Sequence, residues 1–253
     1  MQGAEDARRK MQEVSGEMTS FEGISSISKL SLPDQVFASL RDALMCGRFA
    51  PGQRLPLRSI AAALGTSTMP AREAVNRLVA VEALELLPNR RVCVPVLSAD
   101  RYKEILIARD VIEPAAAEKA TTQLSDEDLQ ALAAMYQEMR ALTQGADRQR
   151  SAKDYMRLDK AFFFRIYSAN QSAALMSTIE SFWIRTGPYL NILLERNYGS
   201  LSGDNVKPVL DALNARNPSA VREAVSSNIR KAAAFIIDTN VLSEASQLTA
   251  ETV

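Results

Sequence analysis

The sequence predicts a mainly α-helical protein in which one short β-ribbon separates two groups of helices. Apolar residues recur every three or four positions over most of residues 32–80 and 98–239, which is the period of helices buried on one side. Between these stretches, two apolar runs flank the sequence Pro-Asn-Arg-Arg, a pattern typical of two strands joined by a turn. We therefore expect an N-terminal group of helices that ends in a ribbon, followed by a helical bundle without strands.

The composition indicates a globular chain with no membrane contact. The 253 residues are 47% hydrophobic and 24% charged, which is ordinary for globular proteins. No apolar run approaches the roughly 18 residues of a membrane-spanning helix, and the polar N-terminus contains no apolar signal core. We expect a cytoplasmic protein in which residues 1–30 form a disordered tail and residues 241–253 form a second tail.

Histidine is absent from the sequence, and this excludes several kinds of site. A serine or cysteine nucleophile paired with histidine cannot be formed. The two cysteines, Cys46 and Cys93, are far apart and leave almost no ligands for a transition metal. Paired carboxylates and glycine-rich phosphate loops are also missing, so we expect neither an enzyme nor a bound cofactor.

The first two helices are predicted from their ends and their apolar faces. Ser31 can cap a helix that begins near Pro33, since proline is tolerated in a first turn. The segment GRFAPGQRL breaks this helix with two glycines and a proline. A second, short helix is expected over residues 57–64 and is ended by Gly65 as a C-cap residue.

The third helix is predicted to follow a tight polar turn. Ser67 is placed to cap it, and Pro70 falls in its first turn, where a missing N–H costs nothing. The apolar runs at residues 84–87 and 92–96 then form the two strands, with a basic tip between them. Helix, helix, turn, helix and basic ribbon make a winged helix-turn-helix over residues 31–97, whose third helix presents hydroxyls and Arg72 to a DNA groove.

The charge of this N-terminal part favours the same interpretation. It contains eight arginines, no lysine and five acidic residues, a net charge of +3, although the whole chain has 30 basic and 30 acidic residues. Arginine suits bidentate contacts with phosphate or guanine better than lysine does.

Six helices are predicted over residues 98–240. The first runs from a cap at Ser98 to about residue 121, and Ser125 with Asp128 resembles a capping box in front of the second. The third spans residues 151–169, and the fourth spans residues 171–195 with an expected kink at Pro188. A short helix over 205–215 precedes the last, 218–239, which Asn217 caps. Together they predict an all-α bundle.

Both parts resemble the GntR superfamily of bacterial transcription regulators, in the branch with an all-helical FCD effector domain. The N-terminal similarity lies in GRFAPGQRL, RSIAAALGTSTMPAREAVNRL and LLPNRRVCV, and the C-terminal similarity in IARDVIEPAAAEKA, RLDKAFFFRIYSAN and VKPVLDALNARNPSAVREAVSSNI. Two residues depart from the family pattern: Thr68 stands where an arginine is common, and Arg91 replaces the wing glycine. The resemblance therefore leaves target sequence and wing depth open.

The resemblance places Arg58 and Arg72 at positions where the family contacts DNA. We predict that phosphates and base edges are contacted by Arg58, Thr66, Ser67, Thr68, Arg72, Arg90 and Arg91. The alternative is that these residues form the solvated surface of a helical domain. Arg77 is expected to be structural and to pair with Glu73 or Glu82.

The resemblance also implies a metal site that this chain lacks. Many family members bind a divalent metal through one aspartate and three histidines. Asp159 keeps the aspartate position, whereas Phe163, Val206 and Asn228 occupy the three histidine positions. We predict that no metal is bound.

Helical spacing predicts that Arg109, Asp159 and Asn228 point into the bundle. A buried guanidinium requires an anion, and two sources remain open. One is a closed structural pair between Arg109 and Asp159. The other is an effector pocket, with Phe163 among its aromatic residues, where Arg109 receives a ligand carboxylate and Asp159 and Asn228 hold its polar atoms.

We therefore predict a homodimeric regulator, more often a repressor in this family, that binds double-stranded operator DNA and responds to a small organic acid. A winged helix covers only a few base pairs, so useful specificity needs two half-sites. Two alternatives stay open: a regulator whose degenerate effector domain serves only dimerisation, and a helical small-molecule-binding protein with a vestigial DNA-binding domain.

Overall fold

The computed structural model describes residues 31–88, 91–143, 148–197 and 203–238. The predicted tails, 1–30 and 241–253, lie outside these residues, and so does Arg90. Within the described ranges the chain forms nine α-helices and one two-stranded ribbon. The mainly α fold class, with helices before and after a small ribbon, is confirmed.

Three helices form the N-terminal core: α1 (Leu32–Met45), α2 (Leu57–Ala63) and α3 (Thr68–Ala80). Each buries the apolar face that its sequence period predicts. The fully or almost fully buried side chains of this core include Val36, Leu40, Leu44, Ile60, Ala71, Val75 and Leu78. Helix α3 packs against both α1 and α2, so the core fixes its orientation.

The turn between α2 and α3 depends on Gly65, whose φ is +62°. Glycine adopts this left-handed conformation without the steric cost of a side chain. Its amide donates to the carbonyl of Ala62, and the amide of Thr66 donates to that of Ala61, so the last turn of α2 is closed by hydrogen bonds. This arrangement sets the direction in which α3 begins.

The ribbon consists of β1 (Glu85–Leu86) and β2 (Val92–Cys93), which are antiparallel. Glu85 faces Cys93 in the register, and Leu86 faces Val92. Arg54, from the loop between α1 and α2, adds a single bridge to Cys93. The strands are shorter than the predicted apolar runs, because the backbone of Val94 bonds Gly52 and Gln53 and the amide of Leu84 bonds the carbonyl of Leu78.

The C-terminal part contains six helices, as the sequence predicts. They are α4 (Ala99–Ala120), α5 (Asp126–Thr143), α6 (Arg148–Ser168), α7 (Ala173–Asn197), α8 (Lys207–Asn214) and α9 (Pro218–Asp238), with a 3-10 turn at Gly203–Asn205. Helix α9 packs along α4, and α6 packs along α5. In the described residues, no helix is both long enough and apolar enough to cross a membrane.

Three predicted helix caps form. The hydroxyl of Ser98 accepts a hydrogen bond from the amide of Arg101, and the side chain of Asn217 accepts one from Ala220. Ser125 and Asp128 bond reciprocally, since each side chain accepts from the other residue's amide. These bonds satisfy amides that a helix N-terminus leaves without partners.

Helix α1 also packs directly on the C-terminal bundle, chiefly on α7. Arg41 of α1 pairs with Glu180 at 3.2 Å, and Asp42 pairs with Lys160 of α6 at 2.8 Å. The predicted division into domains 31–97 and 98–240 stays a prediction. The contacts nevertheless join the first helix to the helices that carry the interior polar groups described below.

Candidate functional site

The N-terminal end of α3 presents polar side chains to solvent. Ser67, Thr68 and Arg72 are exposed there, while Pro70 and Ala71 between them are buried. Ser67 occupies the N-cap position, as predicted, but its hydroxyl makes no capping hydrogen bond. Both the hydroxyl and the first amides of α3 are therefore open to a ligand, and helix N-termini favour phosphate.

Thr66 differs from its neighbours. Its Oγ1 is buried and has no hydrogen-bond partner among the described residues. The prediction that Thr66 contacts DNA requires its side chain to rotate, because in this structure the hydroxyl faces away from solvent. Ser67 and Thr68 satisfy the predicted exposure without any change.

The other predicted DNA contacts lie on α2 and on the ribbon. Arg58, in the first turn of α2, is exposed, and so is Arg91, which directly precedes β2. Arg90 lies outside the described residues. Arg58, Ser67, Thr68, Arg72 and Arg91 thus stay predictions as DNA contacts, on elements that the winged helix-turn-helix arrangement assigns to DNA.

Arg77 is structural, as expected, but its predicted partners are wrong. Its guanidinium forms a 2.6 Å ion pair with Asp34 and lies 4.1 Å from the ring centroid of Phe37. Both partners are on α1, because the side of α3 that carries Arg77 faces that helix. Sequence proximity favoured Glu73 and Glu82, whereas the packing of α3 on α1 brings Asp34 closer.

The interior of the bundle contains a buried ion pair between Arg109 and Glu113 of α4. The Nε of Arg109 donates to Oε1 of Glu113 at 2.6 Å, and Nη2 donates to Oε2 at 3.3 Å. Nη1 donates to Thr186 of α7 at 3.2 Å. Arg109 is 7% exposed and Glu113 is 0% exposed. The open question of a closed pair between Arg109 and Asp159 is therefore answered: the partner of Arg109 is Glu113.

Glu113 also accepts hydrogen bonds from side chains on two other helices. The hydroxyl of Tyr167 on α6 and the indole Nε1 of Trp183 on α7 both donate to its Oε2, at 2.9 and 3.1 Å. Burial and the Glu113 charge raise the pKa of Tyr167 well above its ordinary value. Burial by itself would lower the pKa of Arg109. The charge of Glu113 and its hydrogen bond act in the opposite direction and are stronger together, so the pKa of the guanidinium is raised. The guanidinium therefore stays charged and hydrogen-bonded.

Asp159 lies beside this cluster without joining it. Its carboxyl makes no ion pair or hydrogen bond with the described residues. Burial raises the pKa of Asp159 to about 7, the positive charge of Arg109 opposes this shift, and the Glu113 charge adds to it. At neutral pH the carboxyl is therefore partly protonated and can donate or accept a hydrogen bond.

Phe163 belongs to the same interior group, and Asn228 does not. The ring of Phe163 stacks on Tyr167 with centroids 5.9 Å apart and lies 6.1 Å from Trp183. Asn228 instead donates its side-chain amide to the carbonyl of Asn205, at 3.2 Å. The structure thus brings Arg109, Asp159 and Phe163 together, whereas Asn228 holds the turn in front of α8.

The residues at the family's metal positions do not fit a metal ion. Asp159 offers one carboxylate, Phe163 and the fully buried Val206 offer no donor atom, and the amide of Asn228 already bonds Asn205. Within the described ranges, no group of three histidine, cysteine, aspartate or glutamate side chains is placed to bind one. A divalent ion needs more ligands than one carboxylate and one amide oxygen.

Glu113, the centre of this cluster, was not among the residues predicted from the sequence. A signal was present, since Arg109 and Glu113 are four residues apart on one helix and such pairs face each other. Tyr167 and Thr186 gave no comparable signal, because only the packing of α6 and α7 on α4 brings them to it.

Two family models match the chain. The model of the bacterial regulatory proteins, gntR family, matches residues 32–94, and the FCD domain model matches residues 104–231. The first match covers the three helices and the ribbon, and the second covers the bundle with the buried cluster.

Curated relatives and solved structures agree with these matches. The chain is 30% identical over 217 residues to the HTH-type transcriptional regulator McbR of Escherichia coli K12, covering 85% of this chain and 96% of that protein. It is 29% identical over 133 residues to the Nta operon transcriptional regulator of Aminobacter aminovorans, covering 53% and 61%. The solved structure of E. coli McbR/YncC superposes with a TM-score of 0.77 at 28% identity, covering 83% of this chain and 99% of that one. A GntR regulator structure from Rhodococcus sp. RHA1 gives 0.62 at 25% identity, covering 83% and 99%.

Proposed function

The chain belongs to the gntR family of bacterial regulatory proteins and carries an FCD domain, and we propose that it is a homodimeric repressor whose DNA affinity is set by a small organic acid bound in its helical bundle. DNA-binding transcription regulation follows from the family. The dimer, the direction of regulation, the acid and the residues that hold it are the proposal.

The observation that carries the effector proposal is the buried pair at Arg109. A guanidinium has five N–H groups, and three of them bond Glu113 and Thr186. The other two have no acceptor among the described residues. A ligand carboxylate can accept both of them, while Glu113 keeps the guanidinium charged and oriented. In this proposal Arg109 receives the ligand carboxylate, as predicted, while also pairing with Glu113.

Asp159 and the aromatic rings supply the rest of the proposed site. A protonated Asp159 carboxyl can donate to the ligand carboxylate, and an ionised one can accept from a ligand hydroxyl. Phe163 and Trp183 offer apolar surface beside these polar groups. Asn228 forms no hydrogen bond with Arg109, Glu113 or Asp159 among the described residues and donates to the carbonyl of Asn205 instead, so its proposed role is structural rather than effector binding.

The exposed face of α4 supports the homodimer. Ile107 is 68% exposed and Val111 is 60% exposed, and they lie one helical turn apart. Branched apolar side chains in adjacent turns favour a helix partner. A twofold contact through this face would place two winged helices on one duplex, as recognition of two half-sites requires.

Effector binding can reach the DNA-binding helices through α6 and α7. Asp159 and Lys160 are adjacent on α6, and Lys160 pairs with Asp42 of α1. Thr186 and Gly187 are adjacent on α7, and Gly187 lies against the end of α1. A ligand that binds one placement of α1 more tightly shifts DNA affinity by that difference and no more.

The test measures ligand and DNA binding on the same full-length chain. A panel of small mono- and dicarboxylic acids is screened by thermal shift, and each hit is added to a titration of a 30-base-pair duplex enriched by the protein from a random-sequence pool. We expect one acid to raise the melting temperature and change the duplex Kd at least fivefold. Duplex affinity should fall steeply with salt concentration, because bound phosphates release counterions.

Asp159→Asn and Asn228→Ala provide matched variants. Asp159→Asn should weaken binding of the acid, whereas Asn228→Ala should leave it unchanged. If no acid shifts the wild-type melting temperature, the effector proposal fails and a bundle that serves only dimerisation is favoured. If the duplex does not bind, a vestigial DNA-binding part is favoured instead.

A further inference from the structure

One exposed apolar residue stands out on the recognition helix α3. Met69 is 81% exposed, the highest value of any large apolar side chain in the described ranges. It is the second residue of α3 and lies directly after the exposed Ser67 and Thr68. An apolar side chain at this position is therefore continuous with the surface that faces DNA.

Helical spacing places Met69 at one end of a stripe along α3. Residues three, four and seven positions further on are Arg72, Glu73 and Asn76, and all three are exposed. None of them has a hydrogen-bond or ion-pair partner among the residues that the structure describes. Arginine, glutamate and asparagine are side chains that hydrogen-bond base edges in the major groove, so Met69 is the one apolar member of a stripe with base-reading chemistry.

The backbone holds Met69 in a fixed place. The next two residues, Pro70 and Ala71, are buried in the core between α3 and its neighbours. Proline also restricts its own backbone, so the first turn of α3 has little freedom. The side chain of Met69 itself remains flexible and polarisable and can adapt to a shallow apolar contact.

The major groove offers one apolar group among its base edges, the 5-methyl group of thymine. If Met69 covered a base donor or acceptor, that group would lose its water without gaining a partner. Contact with a methyl group removes apolar surface from water and leaves no polar atom unpaired. We propose that Met69 is a specificity-determining residue that contacts the 5-methyl group of a thymine in each half-site of the bound DNA. The proposal rests on α3 lying in the groove, as the proposed function requires.

The experiment removes the methyl group alone. The full-length chain first enriches its preferred 30-base-pair duplex from a random-sequence pool, and each thymine of that duplex is then replaced in turn by uracil. Uracil pairs with adenine as thymine does but lacks the 5-methyl group. We expect the wild-type protein to bind about fourfold more weakly when the contacted thymine of one half-site is replaced, which is the value of one buried methyl group.

Two variants complete the test. Met69→Ala should bind the thymine and uracil duplexes equally at that position, with an unchanged melting temperature because the side chain is exposed. Leu32→Ala removes another exposed apolar side chain, at the start of α1, and should keep the wild-type discrimination.

The possible outcomes distinguish a failure of the Met69 proposal from a failure of the proposed DNA-binding function. Specific binding with no uracil effect at any position overturns the role of Met69 alone, and so does full discrimination in Met69→Ala. A wild-type chain that enriches no sequence overturns both the methyl contact and sequence-specific DNA binding.

Discussion

Gly187 of α7 lies directly against Leu44 near the end of α1, so closely that a β-carbon at residue 187 would overlap the Leu44 carbonyl oxygen. The same β-carbon would lie 2.8 Å from Cα of Met45. Only glycine lets the two helix backbones approach this far, because the atoms in the way belong to the backbone and cannot rotate aside. This contact joins the helix that carries Trp183 and Thr186 to the first helix of the DNA-binding part.

Gly187→Ala should therefore push α1 and α7 apart. We expect a loss of about 1–3 kcal/mol in the free energy of unfolding, measured by urea denaturation, as for other overpacked contacts. Ser177→Ala, on the exposed side of the same helix, should change stability by less than about 0.5 kcal/mol. Equal stability of the two variants would show that the close approach is not maintained in solution.

Replacing one residue of the Arg109–Glu113 pair should lower the free energy of unfolding more than replacing both residues. Glu113→Leu leaves the Arg109 charge buried without its counter-ion, and we expect a loss of about 3–5 kcal/mol. The double variant Arg109→Met with Glu113→Leu should recover most of that loss, because two apolar side chains need no counter-charge. Denaturant unfolding of the wild type, the two single variants Arg109→Met and Glu113→Leu, and the double variant gives the coupling energy. If the losses of stability in the two single variants add up in the double variant, Arg109 and Glu113 do not interact and the pairing is contradicted.

Asp159 should make stability depend on pH in a direction opposite to that of a salt-bridged carboxylate. Its folded pKa of about 7 lies above the ordinary value of 3.8, so between these pH values the folded chain keeps a proton that the unfolded chain releases. The Asp159 contribution to stability is therefore complete near pH 4 and declines as the pH rises to about 7.

Asp159→Asn should remove this dependence. Relative to wild type, we expect almost no stabilisation at pH 4 and a gain on the order of 4 kcal/mol at pH 8. Thermal unfolding of both proteins across this range is the measurement. A gain that is independent of pH would mean that the carboxyl titrates normally in the folded protein.

Substitutions of Arg72 and Arg77 should change different properties, although both residues lie on α3. The Arg72 substitution should change DNA affinity, and the Arg77 substitution should change stability. Arg72→Ala should weaken binding to the enriched duplex about tenfold or more at an unchanged melting temperature. Arg77→Ala loses the Asp34 pair and the contact with Phe37, and we expect it to lose about 1 kcal/mol of stability. A stable Arg72→Ala variant with wild-type affinity would remove Arg72 from the interface.

Local signals in the sequence predicted the helices and their ends well. The caps at Ser98, Ser125 and Asn217 form as expected, because a capping side chain bonds amides only two or three residues away. Gly65 adopts the left-handed conformation that its place in the turn implies. Ser67 occupies the predicted N-cap position, but its side chain does not form the capping hydrogen bond. The local sequence therefore determined the position of the cap residue but not its hydrogen-bond partner.

The partners of the buried charged groups could be predicted only in part. Helical spacing correctly placed Arg109 inside the bundle, and the same spacing could have identified Glu113. The sequence also allowed a closed pair between Arg109 and Asp159, and this pair does not form. Whether Asp159 reaches the guanidinium depends on how α6 packs on α4, which the period of a single helix does not determine.

The sequence by itself determined the order of the elements, the winged helix-turn-helix and the helical bundle, since these follow from periodicity, turn chemistry and caps that act over a few residues. The tertiary structure alone decided that Glu113 is held by Tyr167 and Trp183 and that Gly187 meets Leu44. Those contacts join residues 54 to 143 positions apart in the chain. Their formation depends on how whole helices pack, because most buried polar groups need a partner and bond the one that the packing brings near.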